Sequence, residues 1–340
     1  MKFKFRSLVL AIVIQFLILS FGFAQNKVGT TAAPFLGIAV GPRAQAMGGA
    51  YVALANDVTA AYWNPGAIAN ISENQVMISH TTWFLGTDFN WIGATFNLGS
   101  GNAVAFSLTQ LDYGEEEITT TTEQEGTGRY WDAQDISASI SYSRALTDRF
   151  SLGGSLKYIG QNIWNESASA VAVDVGLLFV TGFNDMRLGM SISNYGTEMR
   201  MDGDDLLRQI DMDPENSGNN ETLVARLKTD DYPLPIFFRI GVAYDLINTE
   251  MNRVTLAADA LHPTDNVESV NVGAEYSWKN MVALRAGYKS LFQEDTEEGL
   301  TFGAGLQYRM AGIGQVSLDY AFATYGILDD IQTFALSIAF

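Results

Sequence analysis

Ten charged residues fall at alternate positions of strand-like segments, on one side of each: Lys157, Asp174, Arg187, Arg239, Asp245, Asp259, Glu275, Arg285, Arg309 and Asp319. Opposite charges on neighbouring strands can pair across a sheet, and charges sequestered from bulk water need such partners. The set Arg239, Glu275, Arg285, Arg309 and Asp319 could therefore line a polar conduit or ligand site, or brace an enclosed interior. Bracing is the stronger reading, with Glu275, Arg285, Arg309 and Asp319 expected to meet. Nucleophilic chemistry finds little support. The two histidines, His80 and His262, fall on distant segments, whereas a Ser-His-carboxylate hydrolase needs one beside a reactive serine. No Gly-x-Ser-x-Gly elbow, His-rich metal spacing, phosphate loop or cofactor motif occurs, so no enzyme, cofactor or metal centre is expected. The acidic run Asp202, Asp204, Asp205, Asp211, Asp213 and Glu215 lacks the Gly and closing Glu of a calcium loop. It reads as a solvated surface loop.

The elements that would hold these charges begin near residue 75. From there apolar and small-or-polar residues alternate with period two, as in strands with two different faces. Leu300, Phe302, Ala304, Leu306, Tyr308 and Met310 share one face, and Thr301, Gly303, Gly305, Gln307 and Arg309 share the other. Alternation and turn residues divide 75–340 into fourteen strands. Connections after even-numbered strands are short, and several after odd-numbered strands are long, notably 114–130, 195–234, 290–298 and 324–330. Outer-membrane barrels show this asymmetry of long extracellular loops and short periplasmic turns. Aromatic residues expected at strand ends form two rows, Trp83, Tyr113, Trp131, Tyr158, Trp164, Tyr195 and Tyr288 outside, and Tyr142, Tyr244, Trp278 and Tyr308 at the periplasmic rim. In the long loop, Leu206, Leu207, Ile210, Leu223, Val224 and Leu227 are spaced for short amphipathic helices over the barrel mouth.

Residues 1–24 form a secretory signal peptide: Lys2, Lys4 and Arg6 precede an apolar run, and Gly22 and Ala24 precede a cut before Gln25. Removing those three basic residues takes the formal net charge from −18 to −21, a poor match to nucleic-acid phosphates. Zero cysteines exclude thiolate chemistry and suit passage through an oxidising compartment. The apolar run is too short to span a bilayer as a helix, which takes about 20 residues. The expected fold class is all-β: a fourteen-stranded antiparallel transmembrane outer-membrane β-barrel at 75–340, with an N-terminal hatch at 25–74 carrying short helices, placed in the cell outer membrane among its lipid.

The hatch reading rests on Gly41–Asn70, the one long segment that is neither signal nor alternating strand. Small residues fill it, Asn56 or Asp57 offers a helix N-cap before Val58–Trp63, and Pro65 ends that helix by restricting Asn64. Its residues Arg43-Ala44, Met47-Gly48-Gly49-Ala50, Val52-Ala53, Asp57 and Tyr62-Trp63-Asn64-Pro65 resemble the PorV/PorQ group of barrels related to long-chain fatty-acid transporters. Family members usually continue Asn-Pro with Ala-Gly, where this chain has Gly66-Ala67. The resemblance implies a hatch folded inside the barrel, held through Arg43, Met47, Gly48, Gly49, Asp57, Trp63, Asn64 and Pro65. It also implies a non-enzymatic role in type IX secretion, with translocon components and secreted cargo proteins as partners. The alternative it implies is a transporter for hydrophobic small molecules such as long-chain fatty acids. The alternating last strand ending in Phe340 resembles the signal read by outer-membrane assembly machinery.

Overall fold

The computed structural model describes residues 28–213, 215–216, 222–293 and 296–340; the signal peptide and its cut site lie outside them. Fourteen strands close into a ring: β1 (Gln75–Thr82), β2 (Asp88–Gly99), β3 (Asn102–Glu117), β4 (Tyr130–Thr147), β5 (Phe150–Ile163), β6 (Glu166–Val180) and β7 (Arg187–Gly196), then β8 (Phe237–Asn248), β9 (Asn252–Pro263), β10 (Ser269–Trp278), β11 (Val282–Leu291), β12 (Leu300–Met310), β13 (Gly314–Ala323) and β14 (Ile331–Ala339). Every neighbouring pair is antiparallel, and β14 pairs with β1 from Ala339 opposite Gln75 to Gln332 opposite Thr82, so the ring has no free edge.

Side-chain alternation sorts each strand as the sequence does. On β12, Phe302 and Leu306 stand exposed on the outer face while Thr301 and Gly305 are buried inside. Because a slip of one residue would invert the whole set, this greasy outer face fixes the register. No helix among the described residues is long and apolar enough to cross a membrane; a barrel crosses with strands.

Three local features depart from the expectation. β3 and β4 run past the membrane band, to Glu117 and from Tyr130, because the ladder resumes after a bulge between Asp112 and Glu115. The leucine-spaced loop residues form a two-stranded hairpin, Leu207–Ile210 with Leu223–Arg226, rather than helices. Its strands are rich in Leu, Ile and Val, which favour paired strands. Two aromatics at the outer rim engage protein rather than lipid: Trp83 packs in a loop cluster with Phe84 and Tyr325, and Tyr113 turns its hydroxyl to Asp135 at 2.9 Å.

Residues 28–74 run inside the ring from the outer end to the periplasmic end. Ala32 N–H donates to Pro233 O near the outer mouth, and Asn74 exchanges backbone hydrogen bonds with Phe340 at the periplasmic rim. Two short α-helices, α1 (Pro42–Ala46) and α2 (Ala60–Trp63), and 3-10 turns at Pro34–Gly37 and Pro65–Asn70 carry the segment through the lumen. It supplies much of the core: Met47, Tyr51, Val52 and Ile68 are fully buried. Each side chain of this size contributes about 1.5–3 kcal/mol when withdrawn from water.

Candidate functional site

The seat of the hatch is the candidate site, and it begins with glycine. Gly41 and Pro42 start α1, the proline occupying the first turn where its missing N–H is not needed. Helix α1 ends at Gly48 and Gly49, both with positive φ. The wall answers with glycines of its own. A Cβ added at Gly273 or Gly287 would lie 2.4 Å from Met47 O or 2.3 Å from Gly48 N, and one at Gly189 would lie 2.3 Å from Val52 O. At these three wall positions the missing side chain is what lets hatch backbone lie directly on wall backbone.

Polar groups fix the hatch in this seat. Thr301 Oγ1 donates to Ala46 O at 3.0 Å, satisfying a carbonyl left open at the end of α1. Asp259 of β9 accepts the N–H groups of both Tyr51 and Val52 on Oδ2, at 2.7 and 2.8 Å. Trp63 Nε1 donates to Val40 O at 2.9 Å. Asn64 Nδ2 donates to Val52 O and to Leu177 O of β6, at 2.8 and 2.9 Å, while its Oδ1 accepts Gly66 N–H at 3.0 Å. Asn64 is extended before Pro65, as expected of a residue preceding proline. Asp57, rather than Asn56, shapes the entry to α2, its Oδ1 accepting Thr59 N–H at 2.9 Å. The Asn56 side chain accepts instead from Arg43.

The inward charges form separate groups. Arg43 grips Glu275 of β10 with Nε and Nη2, at 2.8 and 2.9 Å, a two-pronged geometry that only guanidinium offers a carboxylate. Glu275 also accepts Arg285 Nε at 2.7 Å, and Arg285 Nη1 donates to Asp319 Oδ1 at 2.6 Å. Arg309, expected in this network, lies at the periplasmic rim instead, paired with Glu73 at 2.6 Å. Its strand position faces inward, but the strand is ending there and the side chain is 67% exposed. Arg239 stands apart from Glu275 and stacks over the rings of Tyr62, Trp63 and Phe237 at 5.7, 5.4 and 4.8 Å. Lys157 pairs with Asp174 at 2.7 Å, and Arg187 with Asp245 at 2.7 Å.

His80 and His262 are exposed on β1 and β9, bonded to Asn90 and Glu268. Among the described residues no group of three or more His, Cys, Asp or Glu is placed to hold a metal ion, the acidic loop included. Lys289 was missed in the sequence: it sits at a bulge of β11, where its ammonium bonds Glu298 and lies 5.8 Å from the Tyr325 ring. A two-residue break in alternation at Lys289-Ser290 was the available signal.

A closed fourteen-stranded ring with a greasy outer face and a chain segment seated in its lumen defines an outer-membrane barrel with an internal hatch. This chain belongs to the family of type IX secretion system protein PorV, whose family model matches residues 22–205. The fold is also that of solved hydrocarbon channels. The CymD monoaromatic hydrocarbon channel superposes with a TM-score of 0.55 at 12% identity, covering 88% of this chain and 97% of that one. The toluene transporter TodX of P. putida gives 0.53 at 13% identity, covering 88% and 98%. A FadL homologue of Pseudomonas aeruginosa gives 0.50 at 13%, covering 93% and 99%. No curated protein sequence matches this one.

Proposed function

We propose that this chain is a hatch-closed, non-enzymatic component of type IX secretion, which receives secreted proteins or helps hand them on at the cell surface. The observation that carries this reading is the fit of hatch to wall. Glycines on β7, β10 and β11 admit hatch backbone at contact distance, and Glu275 and Asp259 bind it through ion pairs and N–H groups. A lumen filled in this way leaves its outer rim and loops as the surface available to macromolecules. In this proposal the signal peptide is cleaved after Ala24, the mature chain resides in the outer membrane, residues up to 74 act as the hatch, and the assembly machinery reads the final strand.

A second reading, transport of hydrophobic small molecules such as long-chain fatty acids, is favoured by the fold shared with CymD and TodX. Affinity isolation of the mature protein from its native membrane separates the two. Recovery of translocon components together with cargo sharing a C-terminal domain is the expected result. Lipid alone, with no protein partner, would transfer the weight to transport.

A further inference from the structure

Beneath the hatch, on the periplasmic side, lies a cavity of about 300 Å³. Its walls are the periplasmic ends of β9–β14 and β1, and its roof is the Arg43, Asn56 and Asp57 side of the hatch. The lining is mostly polar, with Ser277, Asn280, Gln307, Gln315 and Ser317 among it. Glu275 already accepts three hydrogen bonds: Oε1 accepts from Arg43, and Oε2 accepts from Arg43 and Arg285. Asp319 is committed to Arg285.

One cation of the lining has an ion-pair contact but no side-chain hydrogen bond among the described residues. Arg253, at the start of β9, reaches Glu275 only at 3.8 Å, beyond hydrogen-bond range, and its Nε is buried without a partner. A guanidinium has five donors in a planar fork, matched to a carboxylate. On the β12–β13 side of the same cavity, Gln315 Nε2 donates to Gln307 Oε1 at 3.3 Å, which leaves the Gln307 NH₂ and the Gln315 carbonyl as the unspent donor and acceptor of that pair. That pairing suits a peptide group.

We propose that this cavity binds the carboxylate terminus of a polypeptide from the periplasmic side, with Arg253 receiving the carboxylate and Gln307 and Gln315 the last peptide group. A fatty acid satisfies the cation, but Met77, Met281, Val282, Ala283 and Ala339 are a small apolar share of a mostly polar lining, too little to cover its tail. A doubly charged phosphate meets the fixed carboxylates Glu275 and Asp319 close by. The volume lies at the small end of ligand cavities, enough for the last one or two residues of a chain. The site stands independently of the secretion reading, because it needs only the wall and the seated hatch.

The test is a titration of the purified full-length mature protein, in lipid nanodiscs, with trialanine, trialanine C-terminal amide and laurate, read by calorimetry. Trialanine should bind saturably, and the amide about tenfold more weakly or worse, as expected for a lost charge-assisted bond. Arg253→Gln should weaken trialanine by a similar factor, whereas Arg309→Gln, outside the cavity, should not. Retained heat-resistant migration of both variants shows that the barrel is intact. Equal binding of acid and amide, indifference to Arg253→Gln, tighter binding of laurate, or no saturable trialanine binding at millimolar concentration would each overturn the proposal. None of these outcomes bears on the recovery of secretion partners.

Discussion

Gly66 of the hatch and Gly176 of β6 face each other so closely that neither can carry a side chain. A Cβ on Gly66 would lie 2.4 Å from Gly176 O, and one on Gly176 would lie 2.2 Å from Asn64 Oδ1. The Gly66-Ala67 order therefore matters here: the residue directly after Asn-Pro is the one pressed against the wall. Gly66→Ala should push the end of the hatch off its seat while the ring still closes, since barrel hydrogen bonds run strand to strand. Planar-bilayer recording should show conductance in this variant. Gly299→Ala, whose nearest neighbour would be 3.7 Å away, should stay silent, and equal behaviour of the two would remove the steric argument.

Removing Glu275 should be worse than removing Arg43. Glu275→Ala leaves Arg43 and Arg285 without their shared carboxylate, and breaking a buried pair from one side costs about 3–5 kcal/mol. Arg43→Met leaves Glu275 still bonded to Arg285. Midpoints of denaturant unfolding in detergent should fall in that order, and the reverse order would mean that the hatch contact, not the wall network, dominates.

The outer face of β12 sets a third expectation. A charge at the bilayer midplane of a barrel costs about 2–4 kcal/mol. Leu306, exposed on that face, should tolerate Arg far less well than Gln307, which turns inward. Yields of assembled, heat-resistant barrel measure the difference, and a greater loss for Gln307→Arg would invert the assigned faces.

Opposite ends of the barrel should label differently on intact cells. Ile327, on the 324–330 loop, is almost fully exposed, and Glu250 sits in the short turn between β8 and β9. A cysteine at Ile327 should react with an impermeant reagent, and one at Glu250 only after the membrane is opened. Equal labelling without lysis would contradict the topology.

The Lys289–Glu298 contact predicts an acid response. Burial works against the charge of Glu298, yet the Lys289 ammonium, with hydrogen bonds from Lys289 and Ser290, holds its carboxyl below the ordinary range. A depressed folded pKa adds stability above the unfolded value, and that stability is lost as pH falls through the folded one. Hydrogen-exchange protection of residues 296–299 should be flat near neutrality and decline below about pH 4.3. Glu298→Gln should abolish that decline; an unchanged profile would assign it elsewhere.

Strand existence and facing were legible in the sequence because period-two alternation and a lipid-facing band leave each strand a single register. What escaped it depends on geometry across the ring. Arg309 has the right parity for the Glu275 network but sits too near the strand end to reach it. Lys289 shares the inward phase of Arg285 and Gly287, but its partner Glu298 lies on a connecting loop that strand alternation does not place; the bulge after Tyr288 is what buries Ser290 beside it. Tyr113, in phase with the buried Thr109 and Leu111, turns its hydroxyl to Asp135 rather than to lipid, and Leu207–Ile210 pairs with Leu223–Arg226 because leucine spacing alone does not distinguish a helix from paired strands. The small residues of the hatch were evident, but the glycines opposite them were visible only as strand interruptions.

The seam between β1 and β14 also ties the filling to the wall. The hatch runs without a break into β1 at Asn74, and β14 is the strand whose pairing with β1 shuts the circle. Pairing of β14 with β1 joins the two ends of the strand series, so the contents that lead into β1 lie beside the seam that shuts the circle. Wall and filling are therefore joined at the closing seam: a defect in packing the interior next to Asn74 bears on the β1–β14 pairing itself as well as on the leak-tightness of the lumen.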